Sequence, residues 1–176
     1  MNNLKSALTI ALKFIESPDE FFWASNFTGT LSQASAYRLL ELLRELEFIT
    51  KSRQMYYLNH KILQDKSYIK TTLPYIGRQS KRETMLYLLR YLLCDYHALH
   101  SISEVQILFN RNRKDITAIL KLLKEYKVIT EIATQVKNKK KPVRLYKLNP
   151  ELTARLTARA NIIQMHKNKL EVRQWQ

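Results

Sequence analysis

Hydrophobic residues at helical spacing occur in two blocks of this chain that begin about 80 positions apart. In the first block, the apolar positions predict a helix over residues 4–16 and another from Ser32 to about Glu47. Ser32 is a favourable N-cap, because a serine hydroxyl accepts a hydrogen bond from a backbone N–H of the first turn. The predicted buried side of this second helix comprises Ala36, Leu39, Leu40, Leu43 and Leu46.

Shorter apolar segments complete the first block. Residues 21–27 are expected to form a short helix, with the aromatic run Phe21-Phe22-Trp23 in the core. After the long helix, strands are predicted at residues 48–50 and 55–58, joined by a polar turn over residues 51–54. The block therefore has the order helix, helix, helix, hairpin.

The second block repeats this unit. Residues 42–50 align with residues 122–130 at an offset of 80, whereas residues 56–59 align with residues 146–149 at an offset of 90. The ten additional residues fall where the hairpin turns, and they are rich in lysine. A repeat of this length indicates one structural module present twice. The modules are called copy one (residues 1–60) and copy two (residues 81–149).

The elements of copy two are predicted in the same order as those of copy one. Its helices and strands are expected at residues 81–98, 103–109, 113–126, 128–135 and 143–148. Ser101 or Ser103 is the expected N-cap of the second helix, and Asn112 that of the third. The predicted buried side of the third helix comprises Ile116, Ile119, Leu120, Leu123 and Tyr126.

Two segments lie outside the copies. Residues 61–80 are expected to be a linker, because Pro74 and Gly77 interrupt any continuous helix. Residues 150–176 are expected to form a C-terminal helix that starts at Pro150, since proline is well tolerated in a first helical turn. One face of that helix is basic.

Three helices followed by a hairpin are typical of a winged helix-turn-helix domain. The predicted fold class is therefore mainly α with small β-hairpins (α+β), as two tandem winged helix-turn-helix domains plus the C-terminal helix. Copy one resembles the DNA-binding domain of IclR-type transcription regulators in residues 5–18 and 31–49, including Arg38-Leu39-Leu40 in the third helix. The resemblance implies DNA binding. It does not imply metabolite sensing, because a second winged helix stands where that family has its effector domain.

Charge is distributed unevenly along the chain. The net charge is +15, of which residues 1–76 contribute +2 and residues 77–176 contribute +13. Such an asymmetry predicts that copy two meets a polyanion. The alternative is a solvated surface that only favours solubility, but solubility does not require the charge to be segregated.

The third helix of each copy is the expected recognition helix, because the second helix of a helix-turn-helix motif enters the major groove. Arg113 is the preferred base-reading residue, since its planar guanidinium matches the two acceptors of guanine. The candidate DNA contacts of copy two are Arg111, Arg113, Lys114, Thr117, Lys121, Lys137, Lys139, Lys140, Lys141 and Arg144. Those of copy one are Gln33, Ser35, Tyr37, Arg38, Lys51 and Arg53. Copy one has Glu41 where copy two has Lys121, which predicts that copy one either binds DNA more weakly or reads a narrower sequence.

Other chemistry is not expected. A single cysteine, Cys94, excludes an intrachain disulfide, and two isolated glycines provide no phosphate-binding loop. Cys94, His97 and His100 are too few for a structural zinc site, so neither a metal nor a cofactor is predicted. No catalytic motif is recognisable, which disfavours an enzyme. The sequence contains no apolar run long enough to span a membrane, so a cytoplasmic, nucleoid-associated protein is expected.

The predicted function is sequence-specific binding of double-stranded DNA by a transcription regulator. A replication initiator of plasmid or phage type, a winged-helix adaptor that binds proteins, and an RNA-binding protein are the alternatives. A homodimer through the C-terminal helix or the first winged helix is one expected assembly. Tyr87, Tyr91 and Tyr96 belong either to the core or to such a subunit contact.

Overall fold

The computed structural model describes residues 3–29, 31–64, 80–135 and 142–173 of the chain. The elements of copy one and the turn after it are α1 (Asn3–Glu16), a 3₁₀ helix (Ala24–Phe27), α2 (Gln33–Glu45), β1 (Ile49–Ser52), β2 (Met55–Leu58) and α3 (Lys61–Gln64). Those of copy two and the C-terminal helix are α4 (Lys81–Cys94), β3 (His100–Ser101), α5 (Ile102–Phe109), α6 (Arg113–Glu125), β4 (Ile129–Thr134), β5 (Val143–Leu148) and α7 (Pro150–Arg173). The predicted fold class, mainly α with small antiparallel sheets, is confirmed.

The two long helices α2 and α6 are built alike. Ser32 and Asn112 are their N-caps, as predicted, and each side chain accepts a hydrogen bond from the backbone N–H three residues later. Both helices end in the same turn, where Glu47 and Lys127 adopt left-handed φ values of 54° and 55°. The predicted buried stripes are confirmed, except that Tyr126 is only partly buried.

The hairpins share one register. Ile49 pairs with Leu58 in copy one, and Ile129 pairs with Leu148 in copy two. The added residues of copy two lie between β4 and β5, as the offset predicts, and they lengthen both strands. The sheet of copy two has a third strand, because β3 pairs with β5, whereas the sheet of copy one has two strands and an isolated bridge from Phe22 to Tyr56 at the matching position.

Several boundaries differ from the sequence prediction. Strand β1 continues through Ser52, so Lys51 belongs to the strand and the turn is only Arg53 and Gln54. The segment 21–27 forms just one 3₁₀ turn, because Phe22 is used in the sheet. Phe22 is buried, but Phe21 and Trp23 are exposed, which corrects their placement in the core.

One further predicted boundary, the end of the first helix of copy two, is also wrong. Helix α4 ends at Cys94 rather than Ala98, because the chain turns there to bring β3 alongside β5. The segment predicted as a linker begins with the helical turn α3 and ends at Ser80, the N-cap of α4. Residues 65–79 lie outside the described residues.

The copies pack against each other through their first helices, α1 and α4, and their buried residues form one continuous cluster. Arg90 of α4 is buried and donates to the Leu46 carbonyl at 2.8 Å and to Glu47 Oε2 at 3.1 Å, at the end of α2. In the opposite direction, Lys5 of α1 pairs with Glu125 at the end of α6, at 3.6 Å. Each first helix thus contacts the end of the other copy's long helix.

Helix α7 packs back onto copy one. It contacts α1 and α3, buries Leu152 and Leu156, and forms an ion pair between Arg159 and Asp19. Arg159 therefore does not belong to a free basic face, whereas Arg155 is exposed. Among the described residues, no helix combines the length and the apolar character that a bilayer crossing requires.

Candidate nucleic-acid interface

The exposed side of α6 brings together four of the residues predicted to contact DNA. Arg113, Lys114, Thr117 and Lys121 are all exposed, while the other side of the helix is buried in the core. They share a face because residues three and four apart are neighbours on a helix. No ion pair with another described residue engages the three cationic side chains.

Asp115, the carboxylate in the first turn of α6, has a structural role. Asp115 Oδ1 lies 3.1 Å from Lys81 Nζ, and Asp115 Oδ2 accepts from the Asn112 amide at 2.9 Å. The hydrogen bond from Lys81 lowers the pKa of Asp115, and Asn112 and Arg111 act in the same direction. Asp115 therefore fixes the N-terminus of α6 against that of α4, and its charge is largely balanced.

Arg111 lies in the turn between α5 and α6. It is partly buried, and its Nη2 is enclosed without a hydrogen-bond partner among the described residues. The preceding residue, Asn110, has a left-handed φ of 45°, which reverses the chain between the two helices. Arg111 is thus held closer to the protein than Arg113 and Lys114.

The hairpin of copy two places Arg144 beside a carboxylate. Glu131 on β4 pairs with Lys124 at 2.7 Å and with Arg144 at 3.3 Å. The hydrogen bond and charge of Lys124, together with the charge of Arg144, lower the pKa of Glu131. Arg144 remains exposed, but part of its charge is balanced. The predicted wing contacts Lys137, Lys139, Lys140 and Lys141 lie outside the described residues.

The equivalent face of copy one is different. Gln33, Tyr37 and Arg38 are exposed on α2. Ser35, in contrast, is part of the cap, because its N–H donates to Ser32 Oγ at 3.3 Å and its hydroxyl accepts from the same oxygen at 2.8 Å. Ser35, although predicted to contact DNA, therefore takes part in capping the N-terminus of α2.

The carboxylate of Glu41, on the same face of α2, has three polar partners. It accepts from Arg44 Nε at 2.7 Å and Tyr56 OH at 3.2 Å, and it lies 3.5 Å from Lys51 Nζ. Partial burial acts to raise the pKa of Glu41, but the hydrogen bonds from Arg44 and Tyr56 and the charge of Lys51 outweigh it, so the pKa is lowered. The cation of Lys51, a predicted DNA contact, is thus shared with a carboxylate.

The charges at these positions are exchanged between the copies. Glu41 on α2 and Lys51 on β1 correspond to Lys121 on α6 and Glu131 on β4. In copy two the carboxylate, Glu131, lies on the strand instead of on the helix, and Lys124 and Arg144 pair with it there. The helix face of copy two is consequently cationic, and that of copy one is close to neutral.

Sequence reasoning missed the roles of Arg44, Lys124 and Arg90. Arg44 and Lys124 occupy the same repeat position, and each pairs with a carboxylate of its own copy, which is Glu41 on α2 in copy one and Glu131 on β4 in copy two. The burial of Arg90 could have been predicted from the sequence, because α4 is apolar on nearly every side and such a helix is enclosed by its neighbours.

The predicted core and metal candidates also have defined positions. Cys94 and Tyr87 are buried, while Tyr91 and Tyr96 are partly buried and packed against the core. His100 is buried next to the hydroxyl of Tyr91, and His97 is exposed. Within the described ranges, no group of three or more His, Cys, Asp or Glu residues is arranged to hold a metal ion.

Comparison with known proteins adds little to this description. No protein-family model matches the chain, and no curated protein matches it. Among solved structures, it is similar to the DIP2311 protein from Corynebacterium diphtheriae, with 11% identity and a TM-score of 0.32 over 83% of this chain. The chain spans 26% of the length of that protein.

Proposed function

We propose that this protein is a transcription regulator that binds double-stranded DNA through two tandem winged helix-turn-helix domains. In this proposal α6 enters the major groove, and the basic hairpin loop of copy two follows the backbone or the minor groove. The observation that carries the proposal is the exposed face of α6, where Arg113, Lys114, Thr117 and Lys121 stand together without a free carboxylate.

Each residue of this face has a distinct expected role. We expect Arg113, in the first turn of α6, to donate two hydrogen bonds to a guanine, and Thr117 lies one turn further along. Lys114 and Lys121 provide phosphate contacts, which fix the register but carry no sequence information. Copy one, whose equivalent face is near neutral, contributes register, specificity or a partner contact rather than most of the affinity.

The test is fluorescence anisotropy with a random-sequence duplex at several salt concentrations from 50 to 200 mM. The variants are R113A/K114A and K139A/K140A/K141A. The matched control is K13E, which changes the net charge by the same amount as the first variant, at an exposed position of α1. We expect the salt slope to fall by about 1 in R113A/K114A, which removes the phosphate contact of Lys114, and by about 3 in the loop variant.

Sequence specificity is tested on duplexes selected from a random pool. R113A is expected to relax the preference at one base pair by about 1–3 kcal/mol and to leave the other positions intact. A selected site that forms a palindrome overlapping a promoter supports regulation, whereas direct repeats beside an A/T-rich region indicate replication initiation. Equal losses in K13E and R113A/K114A, or no binding at 50 mM salt, would contradict the proposed role of α6.

A further inference from the structure

A second basic groove lies in copy one, between the β1–β2 hairpin and α7. Its volume is about 770 Å³, and Ile163 of α7 forms part of one wall. The basic and histidine side chains in its lining are Arg44, Lys51, Arg53, His60 and Lys61. Two of the residues predicted from sequence to contact DNA, Lys51 and Arg53, line this groove.

The groove concentrates the positive charge of an otherwise near-neutral half. Residues 1–76 contain nine Lys or Arg residues, and four of them line the groove. The acidic residue of the lining, Glu47, is engaged by the buried Arg90. Arg44 and Lys51 share the carboxylate of Glu41, whereas Arg53 and Lys61 form no ion pair with any described residue. The lining thus has an excess of cations over carboxylates.

Neutral polar groups accompany these cations. Thr50, Tyr57 and His60 also line the groove. The Nδ1 atom of His60 is enclosed and has no hydrogen-bond partner among the described residues. Guanidinium, ammonium, hydroxyl and imidazole groups around one open groove are the donors that recognise phosphate oxygens.

We propose that this groove binds a phosphate-bearing anion, with Arg53 and Lys61 as the principal charged contacts. The anion is either a free phosphorylated molecule or a phosphate segment of a nucleic-acid backbone, since both present the same oxygens. The site uses no residue of α6, so it stands independently of the function proposed above.

Isothermal titration with inorganic triphosphate tests the site directly. The groove variant is R53N/K61A, in which asparagine is chosen because Arg53 has a left-handed φ of 55° that asparagine tolerates. The matched control is R113A/K114A, which removes the same charge from exposed positions of copy two. Thermal unfolding of all three proteins verifies that each is folded.

We expect the wild-type chain and the control to bind triphosphate with equal affinity, and the groove variant to bind at least about tenfold more weakly. Equal weakening in both variants would show diffuse attraction to a +15 protein and overturn the proposal. The proposal would also be overturned if the wild-type chain did not bind triphosphate at low salt and R53N/K61A did not change duplex binding.

Anisotropy with 15- and 30-base-pair duplexes identifies the source of the phosphate. If the groove serves a nucleic-acid backbone, R53N/K61A weakens the longer duplex more than the shorter one and lowers its salt slope by about 2. If the ligand is a free phosphorylated molecule, duplex binding is unchanged while triphosphate binding falls. If neither measurement changes in the variant, the groove is not a phosphate site.

Discussion

Arg90 in copy two donates a hydrogen bond from Nη1 to the backbone carbonyl of Leu46 in copy one, at 2.8 Å. The arginine is buried, and the carbonyl lies at the end of α2, where helix carbonyls lack partners of their own and carry partial negative charge. The relative position of the two copies is therefore fixed by a specific polar contact as well as by apolar packing.

Replacement of Arg90 by methionine should destabilise the protein by about 1–3 kcal/mol, because the Leu46 carbonyl loses a charged donor in a buried setting. Urea unfolding measures this change. Glu47→Gln is the matched comparison, and its cost should stay below about 1 kcal/mol because the Glu47 side chain is half exposed. An R90M variant as stable as the wild-type chain would show that packing alone holds the copies together.

The exchange of charges between Glu41 and Lys121 leads to a prediction for DNA affinity. Lys121→Glu should weaken duplex binding at least about tenfold, because it removes a phosphate contact and adds a repelling charge on the exposed side of α6. Anisotropy with the same duplex measures it. K13E carries an identical change of charge on α1, and a similar loss in that variant would refute a local role for Lys121.

Glu41→Gln tests whether copy one lies on the same duplex as copy two. The change frees Arg44 and Lys51 from a carboxylate that both now contact. If these cations face DNA, affinity should rise several-fold and the salt slope should steepen by about 1 to 2. Unchanged affinity and slope would place this part of copy one away from the duplex.

His100 provides a prediction for the pH dependence of stability. Burial lowers its pKa against the opposing charges of Asp95 and Glu104, and Tyr91 OH lies 3.4 Å from Nδ1. Because the folded pKa is below the unfolded value of about 6.5, the unfolded state binds more protons at acid pH. Stability from this residue is present above pH 6.5 and is lost as the pH falls below it.

The repeat supplies the control for that prediction. Phe22 occupies the equivalent sheet position in copy one, so His100→Phe replaces the histidine with the other copy's residue. Urea unfolding between pH 8 and pH 5 should show a smaller loss of stability in H100F than in the wild-type chain. Superimposable pH profiles would mean that His100 does not titrate differently in the two states. Burial also lowers the pKa of His60, but this residue contributes equally to the pH dependence of the wild-type chain and of H100F.

Asn112→Ala should reduce the free energy of unfolding by about 1 kcal/mol, because the side chain accepts from the Asp115 N–H at 2.8 Å and begins α6. Asn112→Ser, which places the cap residue of copy one at this position, should recover most of the loss. Thermal denaturation compares the variants. An unaffected N112A would indicate that the contact of Asp115 with Lys81 suffices to position this end of the helix.

The sequence predicted the elements whose causes are local. The caps Ser32 and Asn112 and the buried stripes of α2 and α6 follow from side-chain chemistry within one turn and from a 3.6-residue period. The added residues of the second hairpin were located by the shift in offset from 80 to 90, because a repeat aligns each strand with its counterpart.

Elements that depend on distant partners were predicted less well. Phe21 and Trp23 were expected in the core because their segment is apolar, yet the bridge of Phe22 to Tyr56 turns only the middle residue inward. Helix α4 was predicted too long, since nothing within its own sequence shows that β3 must reach β5. In both cases, pairing with a strand more than 30 positions away overrode the local pattern.

For the candidate interface, the sequence by itself determined which residues share the exposed face of α6, because helical periodicity alone places Arg113, Thr117 and Lys121 together. The tertiary structure decided which charges are available. Contacts between a helix and a neighbouring strand engage Glu41 with Lys51 and Glu131 with Lys124. Salt bridges of this kind depend on how the backbone folds between the partners, so the composition of a segment does not reveal them.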